Sequence, residues 1–371
     1  MKIVRIGGFD HVRPVFVGGS HPVVIQTMWK DRLSFDDLAG LAGEKIRERI
    51  GRLQAMGCGL LRFAVPDLGA AEVLGRLAAM VSMPLVADIH FDYKIALRCL
   101  DYPIAKIRIN PGNIGSRTQV EKVLSASTAK GIPIRIGVNA GSLPRDLAAR
   151  IDAGELTRAE ALVEAAEREL AIFREFDFHD CLVSMKASSV ADTIRANRLL
   201  AERTDAPLHL GVTEAGPLIA GVVRNTAALL TLLGEGVGDT IRVSLSDTME
   251  NEVIAGREIL HTAAETSEWA RKRQGALKRG VTIVSCPRCG RNGFDTHGFT
   301  SRWLDTLYAM DKDITIAIMG CVVNGPGESR HADLGITGAG NKVLLFRHGE
   351  VIRTINAAVA DEAFREELEK L

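Results

Sequence analysis

The stretch KIRINPGNIGSRTQVEKVLSASTAKGIPIRIGVNAG, residues 106–141, decides the fold. Two short aliphatic runs, Ile107–Asn110 and Ile134–Asn139, each contain an arginine and end on an asparagine. Between them the spacing predicts a helix over Thr118–Lys130. Strand, helix and strand in about thirty residues form one βα repeat. The repeat extends in both directions. Strands are predicted at Val23–Met28, Leu60–Val65 and Leu85–His90 before it, and at Leu182–Ala187, Leu208–Thr213 and Thr240–Leu245 after it. Further helical segments are predicted at Asp36–Met56, Thr157–Arg174, Val190–Arg203 and Glu250–Ala264. Eight βα units in about 250 residues fit an α/β chain folded as a (β/α)8 TIM barrel. A doubly wound open sheet competes, but no glycine-rich dinucleotide fingerprint follows the first strand.

After Ala264 the rhythm breaks. Glu265–Arg279 (ETSEWARKRQGALKR) is charged, contains Gly275, and reads as a linker with some helix. The predicted organisation is a barrel domain over 1–264 that binds substrate, a linker over 265–280, and a smaller α/β domain over 281–371. In the last of these, strands are predicted at Thr282–Ser285, Ile314–Met319 and Val343–Phe346, with helices at Ser301–Met310 and Asp361–Leu371.

The composition narrows the function. The 371 residues include 46 Lys+Arg and 46 Asp+Glu, a formal charge of zero, which argues against a nucleic-acid binder relying on an overall basic field. Hydrophobic residues at 46% and charged residues at 25% suit a globular protein with a large core, not a disordered chain. No apolar run approaches the roughly 18 residues of a membrane span, and Met1 leads straight into strand-like sequence. A cytoplasmic location follows as an expectation, and the six cysteines agree with a reducing compartment.

Barrel enzymes place their chemistry at the C-terminal ends of the strands. Those ends carry Gln26 and Met28, Arg62, Asp88 and His90, Arg108 and Asn110, Arg135 and Asn139, Lys186, Thr213 and Glu214, and Arg242 and Ser244. Five of eight strands contribute a cation: Arg62, Arg108, Arg135, Lys186 and Arg242. Burying five like charges is prohibitive without anions, and four arginines suit a bidentate grip on phosphate oxygens. A compact diphosphate is the substrate this pattern implies. One such cation alone would more often be half of a structural ion pair. Asp88 and Glu214 are the carboxylates available to neutralise two of the five. Lys186 also admits Schiff-base chemistry, though a crowd of cations needs an anion more than it needs an amine. A phosphosugar aldolase or isomerase barrel with a structural metal domain, or a divergent paralogue, is the alternative reading. Glu214 is the natural general acid or base, or else a charge-balancing group. Asp88 and His90 suit orientation of substrate hydroxyls; a lone histidine on an apolar strand is more often a satisfied core residue.

The cysteines divide. Cys286 and Cys289 stand at CxxC spacing in SCPRCGR, and Cys321 follows in MGCVVNGPGE, each after a predicted strand. Three thiolates suit an iron–sulfur cluster, or zinc with His297 or His331 as a fourth ligand. Glu328 lies beyond the Gly325–Pro326–Gly327 turn, where its carboxylate can return to a cluster. Cys58, Cys99 and Cys181 lack partners at metal spacing and read as buried thiols.

The strings ADIHFDYKIAL, KIRINPGNIG, IRIGVNAGSL, PLHLGVTEAG, GVGDTIRVSLS, SCPRCGR and IMGCVVNGPGE closely resemble the 4-hydroxy-3-methylbut-2-enyl diphosphate synthase family of the non-mevalonate isoprenoid pathway, in its two-domain bacterial form. The resemblance implies a [4Fe–4S] cluster on Cys286, Cys289, Cys321 and Glu328. It implies 2-C-methyl-D-erythritol 2,4-cyclodiphosphate as substrate, opened and dehydrated with two electrons from ferredoxin or flavodoxin. The diphosphate would be held by Arg62, Arg108, Arg135, Lys186, Arg242 and Ser244, with His90, Asn110 and Asn139 nearby. Glu214 would act near the substrate's C3 oxygen, and Asn324 lies in the cluster loop. A homodimer is implied, one subunit's cluster domain capping the other's barrel. Two stretches depart from the family's usual sequence. After the first strand QTMWKD (Gln26–Asp31) replaces QSMTNT, putting Trp29 close to the barrel mouth, and after the seventh strand Arg224–Asn225 replaces a Lys-Ser pair in a loop.

Overall fold

The computed structural model describes all residues except 1, 275–279, 288, 324, 326, 328 and 341. It divides into two compact units, Met1–Leu277 and Lys278–Leu371.

The first unit opens with a hairpin of β1 (Ile3–Ile6) and β2 (Val15–Gly18), antiparallel in register from Ile3 opposite Gly18 to Ile6 opposite Val15. Eight strands follow: β3 (Val24–Met28), β4 (Cys58–Ala64), β5 (Leu85–Asp88), β6 (Lys106–Ile109), β7 (Ile134–Asn139), β8 (Cys181–Lys186), β9 (His209–Leu210) and β10 (Thr240–Ile241). They form one parallel sheet in the order β8-β7-β6-β5-β4-β3-β10-β9. A parallel bridge between Val183 and Leu208 joins its two ends, so the sheet closes into the barrel that the eight repeats predict.

Each strand is followed by helix on the outside, as a parallel sheet requires. Helix Arg158–Glu175 starts at a capping box, where Thr157 and Glu160 satisfy each other's backbone N–H groups. The hairpin closes the barrel at the strands' N-terminal ends. Val4, Ile6, Val12 and Val17 pack there with Leu60, Val86, Ala105 and Leu182, all buried. Full burial of each valine, leucine or isoleucine there contributes about 1.5–3 kcal/mol. Only the C-terminal end of the barrel is left for chemistry.

The stretch expected as a linker is packed over part of its length. Helix Glu268–Gln274 follows Met249–Thr266 directly, and its Arg273 is 5% exposed. That guanidinium donates to the carbonyls of His21 (2.8 Å) and Gly238 (2.9 Å) and to Asp239 (3.1 Å). The charge that suggests a solvated linker is spent partly on a buried ion pair.

The second unit is a five-stranded sheet in the order β11 (Thr282–Ser285), β12 (Thr315–Met319), β13 (Leu334–Ala339), β14 (Lys342–Arg347) and β15 (Glu350–Asn356). The first three strands are parallel and the last two antiparallel. Helices Thr296–Tyr308 and Ala360–Glu369 supply Phe299, Trp303, Leu307, Phe364 and Leu368 to its core. β13 and β15 do not stand out in the sequence. Gly335 and Gly338 interrupt β13 because a Cβ at Gly335 would sit 2.0 Å from the Phe346 ring, and one at Gly338 2.6 Å from Gly293. β15 is an exposed edge, so it lacks the apolar run of a buried strand.

Candidate active site

Alternation along each barrel strand sends every second side chain inward. Residues 62 on β4, 88 on β5, 106 and 108 on β6, 135 on β7, 184 and 186 on β8 and 209 on β9 are accordingly buried. The cations among them fall into two arcs.

In the first arc charge is balanced within the protein. Asp88, 4% exposed, takes Arg108 at 3.1 Å and Arg62 at 3.4 Å. Burial alone would raise this carboxyl, yet Arg62, Arg108 and Arg135 hold it below its ordinary value. His90 stands 2.8 Å from Arg108, and burial lowers its pKa despite the nearby Asp88. Arg62 is brought down to about 10, chiefly by burial, with Asp88 opposing. On the far side of β3, Arg242 pairs with Glu252 through Nε (3.2 Å) and an Nη (3.1 Å). Lys30 reaches the same carboxylate at 2.6 Å.

The second arc, β7 to β9, has no such partner. Arg135 is 1% exposed and, among the described residues, makes one hydrogen bond, 2.9 Å to the Ser184 hydroxyl, leaving its Nε and second Nη without a partner there. Lys186, equally buried in the same wall, has no ion pair among the described residues. Deeper in the barrel Lys106 donates, among the described residues, only to the Gln26 side-chain carbonyl at 3.3 Å. His209 meets Thr240 at 2.7 Å through Nδ1 and leaves Nε2 unpartnered. Burial first, and neighbouring cations second, push Arg135, Lys186, Lys106 and His209 well below their ordinary pKa values. An arginine keeps its proton in a protein, so for Arg135 the shift describes a charge held in an unfavourable place. An anion seated there relieves it.

The remaining predicted residues frame the mouth. Asn110 accepts from the Gly112 N–H at 3.1 Å and caps the short helix Pro111–Ile114, while Asn139, Thr213 and Ser244 are half-buried at their strand ends. Glu214 corrects one expectation. It is exposed, has no ion pair among the described residues, and does not neutralise the strand-end cations; Glu252 takes that part. Its backbone φ of +51° lies in the left-handed region that non-glycine residues seldom adopt. The loop bearing it is pinned by Arg224, donating to the Ala215 carbonyl at 2.8 Å, and by Asn225, accepting from the Val212 N–H at 3.1 Å. These two residues lie within helix Leu218–Gly234, not in a loop. Trp29 is likewise not at the mouth. It is 6% exposed, stacked on Phe63 with centroids 5.5 Å apart and covered by Arg49.

Sequence reading missed Glu252, Lys30, Thr27, Lys106, His209 and Ser184. Strand periodicity could have found Lys106 and His209, which share a face with Arg108 and Gly211. Glu252 had no such signal, because it lies on the helix after the eighth strand and only the closed barrel brings it inward.

In the second unit Cys286 and Cys321 follow neighbouring parallel strands. The Cys286 N–H donates to the Ile318 carbonyl (3.1 Å), and Gly293 N–H to the Gly320 carbonyl (2.8 Å). A Cβ at Gly320 would come within 3.4 Å of the Cys286 sulfur, so the thiol lies against the residue preceding Cys321. Cys286 is half-buried, Cys289 exposed and Cys321 buried. By contrast burial pushes the thiols of Cys58 and Cys99 up to about 12 and Cys181 to about 11, marking inert core groups. Among the described residues no three His, Cys, Asp or Glu side chains converge on a single ion, and His297 and His331 are exposed. The predicted Asn324 and Glu328 lie outside the described residues. No helix among the described residues is long and apolar enough to cross a membrane.

Comparison with known proteins agrees with this division. The chain is 48% identical to a 4-hydroxy-3-methylbut-2-en-1-yl diphosphate synthase (flavodoxin) of Treponema denticola, covering 100% of this chain and 98% of that protein. It is 51% identical to the synthase of the same description from Treponema pallidum (99% and 91% covered) and 43% identical to that of Clostridium perfringens (96% and 95%). None of these is an aldolase or an isomerase. The GcpE TIM-barrel domain matches residues 10–257 and the GcpE protein C-terminal domain residues 282–370, and with both halves accounted for, the chain belongs to the GcpE family.

Proposed function

We propose that this chain is a flavodoxin-dependent 4-hydroxy-3-methylbut-2-en-1-yl diphosphate synthase of isoprenoid biosynthesis. It opens the ring of 2-C-methyl-D-erythritol 2,4-cyclodiphosphate, removes one hydroxyl as water and takes up two electrons together with the proton that completes the water. One observation carries the reading: Arg135 and Lys186 are buried in the barrel wall, and among the described residues neither has an ion pair. A ligand with two phosphates supplies that balance, and the mouth holds donors for both. Arg135, Lys186 and Arg242 grip the diphosphate together with Arg62, Arg108 and Ser244, where Arg forks suit phosphate oxygens. His90, Asp88, Asn110, Asn139 and Thr213 orient the carbon skeleton. The family resemblance gives Glu214, solvent-facing and with a backbone φ of +51°, the exchange of a proton with the substrate's C3 oxygen.

The cofactor in this reading is a [4Fe–4S] cluster. The donor set fits: a CxxC pair and a third cysteine on adjoining loops, with Gly320 leaving room beside the Cys286 sulfur. Three thiolates of a cluster bind different irons, so they need not converge on one point. When bound, the cluster delivers electrons one at a time from flavodoxin, or from ferredoxin. Cys286, Cys289 and Cys321 would hold it, with Glu328 as a replaceable fourth ligand beside Asn324. The family resemblance supports a homodimer in the cytoplasm.

The test is anaerobic turnover of the cyclic diphosphate by reconstituted protein with reduced flavodoxin. The allylic diphosphate should accumulate, and a brown, reducible protein that leaves the substrate unchanged would defeat the proposal. Glu328→Ala should retain the brown colour while turnover collapses; a variant with near-full activity would remove Glu328 from the site.

A further inference from the structure

We propose that Glu252 is a positioning residue for the diphosphate site, fixing the guanidinium of Arg242 while taking no part in ligand contact itself. The inference rests on the reaction assigned above and deepens it. Glu252 stands in the first turn of helix Met249–Thr266 and is 1% exposed. Its Oε2 accepts from the Thr27 hydroxyl at 2.6 Å and from Arg242 Nε at 3.2 Å. Its Oε1 accepts from Lys30 at 2.6 Å, from an Arg242 Nη at 3.1 Å and from the Leu245 N–H at 3.1 Å. A carboxylate offers about four acceptor positions, so five donors leave none for a substrate. The group cannot be a general base in this state. What it does is mechanical and electrostatic.

The two-point contact with Arg242 sets the plane of the guanidinium and leaves its other Nη without a partner among the described residues. The same carboxylate ties the end of β3, through Thr27, to the backbone just past β10, through Leu245. Lys30 binds that backbone as well, donating to the Leu245 carbonyl at 2.8 Å. Burial alone would raise the Glu252 carboxyl, but Arg242, Lys30 and Thr27 hold it below its ordinary value, so it remains ionised. One negative charge is shared between two cations, and Arg242 therefore keeps net positive charge for an anion.

A double-mutant cycle on the reconstituted full-length protein tests this, read by binding of inorganic pyrophosphate and by kinetics with the cyclic diphosphate. Arg242→Met should weaken pyrophosphate about 100-fold and Glu252→Gln about 10-fold. In the Arg242→Met background Glu252→Gln should change affinity by less than about twofold, since no guanidinium remains to be placed. In turnover, Glu252→Gln should raise KM about 10-fold and leave kcat within about threefold. A residue that only stabilised the fold would give losses that multiply in the double variant, and multiplying losses overturn the proposal. Should Glu252→Gln not fold, Arg242→Lys decides, because lysine keeps the charge but cannot make the two-point contact. It should bind pyrophosphate within about threefold of Arg242→Met, and affinity near wild type would overturn the assignment. Wild-type protein that binds pyrophosphate without converting the cyclic diphosphate would defeat the reaction assigned above and leave the binding cycle to judge Glu252.

Discussion

The two arcs of the barrel mouth are built from the same residue types and behave oppositely. At the mouth from β10 through β3 to β6, Arg242, Lys30, Arg62 and Arg108 each face Asp88 or Glu252, while Lys106, deeper on β6, meets Gln26. From β7 to β9, Arg135 and Lys186 have no ion pair among the described residues, and Arg135 donates to the Ser184 hydroxyl instead. A protein has no stability reason to bury cations in the second manner, since an unpaired buried charge is destabilising. The balanced arc is architecture that also presents donors. The unbalanced arc waits for a ligand.

If that contrast is correct, removing a charge should have opposite effects on the two sides. The largest effect is expected from Asp88→Asn, which leaves Arg62 and Arg108 buried without a counter-ion. Urea unfolding of the ligand-free protein should show a loss of about 3–5 kcal/mol. Arg135→Met or Lys186→Met should do the reverse to the fold, keeping or raising ligand-free stability while lowering kcat/KM at least about 100-fold. A variant of Arg135 that destabilised the free protein as much as Asp88→Asn would erase the distinction between the arcs. Next, inorganic pyrophosphate at about one hundred times its Kd should stabilise the wild type by about 2.7 kcal/mol, seen as a higher Tm. The shift should vanish in Arg135→Met at the same concentration.

A pH-dependent effect is expected at the seam between the arcs. Glu169, on helix Arg158–Glu175, accepts from the Gly112 N–H at 3.1 Å behind the Asn110 loop, and its other oxygen has no partner. Burial raises its carboxyl from 4.5 to about 7. A raised acid binds its proton more tightly in the folded state, so stability should fall as pH rises from 4.5 to about 7. The slope is at most about 1.4 kcal/mol per pH unit. Glu169→Gln should flatten the curve in that window, and an unchanged slope would assign it to other groups.

Much of this was legible in the sequence, for identifiable reasons. Parallel barrel strands are buried on both faces, so Ile107–Asn110 and Ile134–Asn139 stand out as aliphatic runs, and an arginine inside such a run is conspicuous. The CxxC spacing of Cys286 and Cys289 is local and equally plain. What stayed hidden depends on closure of the ring. Nothing near Glu252 in sequence says that it faces Arg242 and Lys30, and nothing near Asp88 says that it holds two arginines at once. Glu214, read as a general acid or base or else a counter-ion because it ends a strand, is exposed and pairs with none of the described strand-end cations. Trp29 seemed destined for the mouth until Phe63 and Arg49 were found to cover it. In the second unit, β13 was concealed by glycines that serve close packing and not turns.

The central claim is that the unbalanced arc is where a diphosphate sits. A crystal structure with inorganic pyrophosphate tests it most directly. The ion should lie within hydrogen-bond reach of the unpartnered Nη of Arg135 and of the Lys186 amine. A pyrophosphate that leaves both of these untouched, or seats itself elsewhere on the chain, would contradict it.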